Sequence, residues 1–148
     1  MGSLFSKFHH ICFVVEDALA SIAGYEALGL GPWKKLPPMS FYTDVEMPDR
    51  EGFYGLEYWL CETGGLSIQM CQPGPQPTPQ RQFLDKHGDG VFHIGFEVED
   101  INQAEGAAAE KGAKILMKGR REDGSGFAYL DTIPQDGFSL VLRQSPKG

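Results

Sequence analysis

Apolar residues return at every second position in two short stretches, His10 to Asp17 ("HICFVVED") and His93 to Asp100 ("HIGFEVED"). Ile11, Phe13 and Val15 alternate with His10, Cys12 and Val14; Ile94, Phe96 and Val98 alternate with His93, Gly95 and Glu97. A period of two predicts a strand with one apolar face and one face that begins at histidine. After each strand the period lengthens. "ALASIAGYEALGLG" places Leu19, Ile22, Ala23, Glu26 and Ala27 at helical spacing, and "INQAEGAAAEKGAK" does the same with Ile101, Ala104 and Ala108. Asp17 and Asp100 stand where they can cap these helices, and Gly29 and Gly112 where a helix stops in a left-handed residue.

Strands follow each helix: "FYTDVEM", "LEYWLCET" and "LSIQMCQP" after the first, "AKILMKG", "GFAYLDT" and "FSLVLRQ" after the second. Gly64-Gly65 and Asp136-Gly137 supply the turn between the last two strands of each set. The pattern is a β-α-β-β-β unit written twice, over residues 6–73 and 89–146. Between the copies, 74–88 holds a proline-rich connector and the short helix "RQFLDKHG". The expected fold is a single α+β domain, two tandem βαβββ modules forming a curved mixed sheet around a central cavity, because one module alone leaves a sheet face uncovered.

Charge narrows the classes. A net charge of −7 argues against a protein that binds nucleic acid by its overall field. Three cysteines without CxxC spacing read as reduced thiols in the cytoplasm rather than a disulfide framework. No stretch has the length of a membrane span or the form of a signal peptide. Gly2 and Ser6 match a myristoylation pattern that arises often by chance.

The repeated histidines carry the chemistry. His10 and His93 occupy equivalent positions 83 residues apart, on the faces opposite the apolar ones. Two such imidazoles lining one cavity suit a shared divalent metal, against the alternative of core histidines bonded to backbone. His9, on the other face, reads as structural or surface, and His87 as a solvated loop residue.

"HHICFVVEDALASIAGYEALGL" and "FLDKHGDGVFHIGFEVEDINQA" resemble the two module signatures of the vicinal oxygen chelate superfamily, over nearly the whole chain. That superfamily holds glyoxalases, bleomycin resistance proteins and extradiol dioxygenases. The likeness is greatest to the branch of methylmalonyl-CoA epimerase and lactoylglutathione-lyase-like proteins. It implies metal ligands at His10, His93 and, on the last strand of the first module, Gln69. The family's fourth ligand, a glutamate that often serves as acid/base, falls on Val141. Two imidazoles and one amide suit zinc, nickel, iron or cobalt better than magnesium.

The resemblance therefore implies a metal-assisted isomerase, epimerase or lyase acting on a small oxygen-rich metabolite through an enolate-type intermediate. It implies a homodimer and no nucleotide cofactor. A metal-free protein that sequesters a drug or metabolite is the alternative. Glu97, on the His93 face, is the candidate base. Arg143 could clamp an anion, beside Val141, and Cys12 and Cys71 share the faces of His10 and Gln69. Tyr54, in the loop-like "REGFYG", is among the aromatics that could meet a substrate, and "KGRREDGSG" reads as a possible basic lid.

Overall fold

The computed structural model describes residues 3–132 and 138–147. The Asp136-Gly137 turn and Gly2 lie outside them. The protein is mixed α+β, with nine strands and four α-helices among the described residues. They form two compact units. The amino-terminal unit comprises His10–Met39 and Asp49–Phe92, and the carboxy-terminal unit comprises Met1–His9, Ser40–Pro48 and His93–Gly148.

In the amino-terminal unit, residues His10–Val14 of β1 (Phe8–Val14) lie parallel to β5 (Leu66–Gln72). β4 (Glu57–Thr63) pairs antiparallel with β5 and with the two-residue β2 (Lys34–Lys35). Gly64 and Gly65, both at positive φ, make the tight β4–β5 turn. Helix α1 (Ala18–Ala27) seats Ala18 and Ile22 on Val15, Trp59 and Met70. Leu19, expected on that packed face, is 68% exposed; Ile22 takes the position against the sheet.

In the carboxy-terminal unit, residues His93–Glu97 of β6 (Gly90–Glu97) run parallel to β9 (Ser139–Gln144). Antiparallel β8 (Gly126–Leu130), β7 (Ile115–Arg121) and β3 (Tyr42–Glu46) extend the sheet in that order. β3 precedes β4 in sequence yet pairs with β7, where Glu46 meets Lys118 at 3.0 Å. Helix α4 (Ile101–Glu110) presents Ile101, Ala104 and Ala108 to Ala128, Leu130 and Leu142, as the alanine-rich stripe predicts.

The two helices are held at their starts in the same way. Asp17 accepts from Ala20 N at 3.1 Å and Asp100 from Gln103 N at 3.0 Å. The last strand of each set adds a glutamine: Gln72 Oε1 accepts from Ala18 N at 2.8 Å, and Gln144 Oε1 from Ile101 N at 3.0 Å. Two of the orphan N–H groups of each helix are thus satisfied.

Two loop-like stretches are ordered. "REGFYG" is a helix, α2 (Arg50–Tyr54), because Asp49 caps it by accepting from Gly52 N at 2.7 Å. "KGRREDGSG" is no lid: Lys118, Arg120 and Arg121 lie on β7, and a short turn leads into β8. α3 (Pro79–His87) is the short helix expected after the proline-rich connector.

Candidate functional site

Strand register decides which side chains share the face turned away from the helices. In the amino-terminal unit, His10 stands opposite Ser67, Cys12 opposite Gln69 and Val14 opposite Cys71. The helix-covered face carries Phe13, Trp59 and Met70. His10, Cys12, Gln69 and Cys71 are thereby gathered on the face opposite α1, as their alternation predicts. His10 is buried, and Cys12 and Cys71 are fully so. Burial pushes both thiols up, Cys71 to about 12, with a Tyr58 hydrogen bond opposing the rise at Cys71 and the neighbouring Cys71 adding to it at Cys12. A thiol held protonated is a small apolar wall, not a nucleophile. Tyr54, at the end of α2, is part-exposed and stacks edge-on to Phe53 at 5.4 Å.

The carboxy-terminal unit builds a different face. Register sets His93 against Ser139, Gly95 against Val141 and Glu97 against Arg143, with Tyr129 and Phe127 beyond them. A row of edge-on rings crosses this face: His93 to Tyr129 at 4.8 Å, Tyr129 to Phe127 at 5.4 Å, Phe127 to Tyr42 at 4.9 Å. Burial depresses His93 from its usual 6.5 to about 3, so the imidazole is neutral at any working pH. Val141 is 2% exposed, a carbon surface next to the histidine.

The far end of the row is charged. Glu97 accepts from Ser145 N at 2.8 Å and Ser145 Oγ at 3.0 Å, and its Oε1 lies 3.2 Å from Arg143 Nε. That carboxylate is engaged on both oxygens, and as a base it would first have to release Arg143 and Ser145. Arg121 donates to the Tyr42 hydroxyl at 2.9 Å, Ser125 Oγ at 3.2 Å and Gln144 O at 3.4 Å. Its guanidinium lies 4.7 Å from the Tyr42 ring centre and 5.3 Å from that of Phe41. Burial lowers the Arg143 pKa, and Arg121 lowers it further against the pull of Glu97 and Tyr42. Burial raises the Tyr42 hydroxyl, with both arginines opposing.

Sequence reasoning counted Tyr42 among the aromatics of the first module that could meet a substrate, missed Phe127 and Tyr129, and read Arg121 only as part of a basic loop. Their period-two placement on β8 was readable; the pairing of β3 with β7 was not. It also set His9 aside. This imidazole is half-buried, and burial together with Arg143 lowers its pKa while Glu97 opposes.

Comparison with known proteins places this architecture. The family described as "Glyoxalase/Bleomycin resistance protein/Dioxygenase superfamily" matches residues 9–129. The chain belongs to that superfamily. Among its relatives is an ethylmalonyl-CoA/methylmalonyl-CoA epimerase of Cereibacter sphaeroides, 27% identical over 136 residues, which span 90% of this chain and 92% of the relative. A 4-hydroxyphenylpyruvate dioxygenase of Yarrowia lipolytica is 26% identical across 92% of this chain, but the match spans only 38% of the dioxygenase. The structure of methylmalonyl-CoA epimerase from Mycobacterium tuberculosis superposes with a TM-score of 0.70 at 20% identity, over 99% of this chain and 93% of that one. The superfamily fold expected from the sequence is therefore present. Its related proteins are epimerases and dioxygenases acting on small molecules. No helix among the described residues is long and apolar enough to cross a membrane.

Proposed function

We propose that the chain is an epimerase-type isomerase of the superfamily, moving a proton on the carbon next to a carbonyl of a small acid or thioester. The observation that carries the reading is the neutral, buried His93 on the face opposite α4, joined by a row of rings to two arginines. The likeness to an epimerase along 92% of its length supports it.

His10, Gln69 and His93 are the residues that would hold a divalent metal. A ligand imidazole must be neutral, and burial keeps His93 so; two imidazoles and an amide suit a borderline ion such as Zn²⁺, Ni²⁺, Co²⁺ or Fe²⁺. Among the described residues no group of three or more His, Cys, Asp or Glu could hold an ion, so the assignment rests on the family resemblance and takes Gln69 as its third donor. Such an ion would supply Lewis-acid polarisation of the carbonyl oxygen. The remaining roles belong to the chain: the ring row excludes water from the reacting carbon, and Glu97 is the carboxylate offered as base once its donors turn to the substrate.

The test follows the proton. A panel of small acyl thioesters and 2-substituted acids is incubated in D₂O with each metal, and loss of the C–H signal is read by NMR. Metal-dependent exchange that vanishes in His93→Gln and Gln69→Ala is expected. Absence of exchange with every metal, together with less than about one-tenth equivalent bound, would overturn the reading.

The buried carbon at Val141 favours the second reading, a metal-free binding protein. Val141→Glu separates the two. Burying that carboxylate costs several kcal/mol without a partner cation. The metal reading expects a lowered melting temperature that Zn²⁺ or Ni²⁺ restores; the binding-protein reading expects no rescue.

A further inference from the structure

Neighbouring arginines on β7 point to opposite faces and meet opposite fates. Arg120 turns toward α4, where it is paired with Glu105 and bonded to Asn102. Lys118, on the same side, is shared between Glu46 and Glu105. Arg121 turns to the ring row. Its partners there are a phenol, a serine hydroxyl and a backbone carbonyl, and no carboxylate lies within ion-pair distance among the described residues. Arg143 has one carboxylate, Glu97, and no bond to its Nη1 among the described residues. Arg121 reaches a carboxylate only through Ser125, whose hydroxyl donates to Asp123, so among the described residues Glu97 is the one carboxylate in ion-pair contact with either guanidinium.

The two guanidinium groups repel one another, Arg121 lowering the Arg143 pKa, and an added anion would relieve that repulsion. Arg121 is also held in place by its three hydrogen bonds and by the rings of Tyr42 and Phe41, so little rotamer freedom is left to lose on binding. A fixed planar fork beside a second guanidinium matches the two oxygens of a carboxylate. The ring row then leads from this charged end to His93, offering an apolar floor for the rest of the molecule.

We propose that Arg121 and Arg143, with the Tyr42 hydroxyl, form the subsite that takes the carboxylate of an organic acid, whose apolar body lies along Phe127 and Tyr129 toward His93. This narrows the substrate class of the reading above and rests on it only for the reaction. Arrival of the substrate carboxylate gives the pair its second anion and loosens the hold of Arg143 on Glu97.

The experiment measures binding by the metal-free protein, by calorimetry or NMR titration, of 3-phenylpropanoate and of its neutral amide. The acid is expected to bind at least about tenfold tighter than the amide. Arg121→Gln is expected to remove that preference, and Arg121→Lys to retain part of it. Lys34→Gln, which removes the same charge at an exposed site of the other unit, is expected to leave it intact. Should Arg121→Gln fail to fold, Tyr42→Phe tests the same contact and is expected to weaken the acid alone. Equal binding of acid and amide, no binding of either, retention of the preference in Arg121→Gln, or a preference for inorganic phosphate over the acid would each overturn the subsite. Proton exchange discriminates the two readings. Acid binding without exchange sinks the epimerase reading and leaves the subsite; exchange that is indifferent to Arg121→Gln does the reverse.

Discussion

The two units start from one strand signature and finish with different faces. Both keep the scaffold: an aspartate cap, a glutamine from the last strand on the helix's first N–H, and a positive-φ glycine at the stop, Gly29 in one and Gly112 in the other. On the faces opposite α1 and α4 the agreement ends. The amino-terminal unit lines His10 with Cys12, Gln69 and Cys71, small groups or neutral amide. The carboxy-terminal unit lines His93 with rings, Val141 and a carboxylate flanked by arginines. The positions that tie helix to sheet are those that every copy of the unit needs. The faces have no such duty and are where the copies can specialise.

The largest test strikes both scaffolds. Met70→Ala and Leu142→Ala, each at a fully buried site, are expected to cost about 2–5 kcal/mol apiece in urea unfolding. A cost below about 1 kcal/mol in one alone would show that the two cores are not equivalent.

Next comes pH. His93 is neutral in the folded chain down to about pH 3, whereas unfolded it takes up a proton below 6.5. Its contribution to stability is therefore complete above 6.5. It is lost on acidification at about 1.4 kcal/mol per unit until the folded value is reached. Urea midpoints at pH 7, 6 and 5 are expected to fall more steeply in the wild type than in His93→Gln. Parallel slopes would mean that the His93 face is open to water.

Smaller still are the glutamine clasps. Gln72→Met and Gln144→Met each strand one helix N–H, for about 1 kcal/mol. Unequal losses would break the symmetry of the scaffold. The thiols complete the series with no expected change in stability. In native protein at pH 8, Cys12 and Cys71 are expected to resist a thiol reagent that labels them promptly after denaturation. Prompt labelling would sharpen the amino-terminal face into a reactive one.

Much of this was legible because it is local. Alternation placed His10 with Gln69 and His93 with Glu97, and the caps at Asp17 and Asp100 followed from position alone. Gln72 and Gln144 were visible as recurring residues, but their bonds to Ala18 and Ile101 span 54 and 43 positions, and no local pattern predicts them. Leu19 misled because an apolar residue at helical spacing does not reveal which side of a short helix meets the sheet; Ile22 does. The Arg121 subsite was illegible for a topological reason. Tyr42 comes to it from a strand 79 residues away, on a pairing that chain order argues against.

The glutamine clasps also bear on how the chain is made. Each helix leaves the ribosome well before the strand that finishes it, so a growing chain carries an amide at the helix start that only water can satisfy. When Gln72 emerges, the first helix gains that bond, and Gln144 does the same for the second. The clasp thus works as a receipt, issued unit by unit.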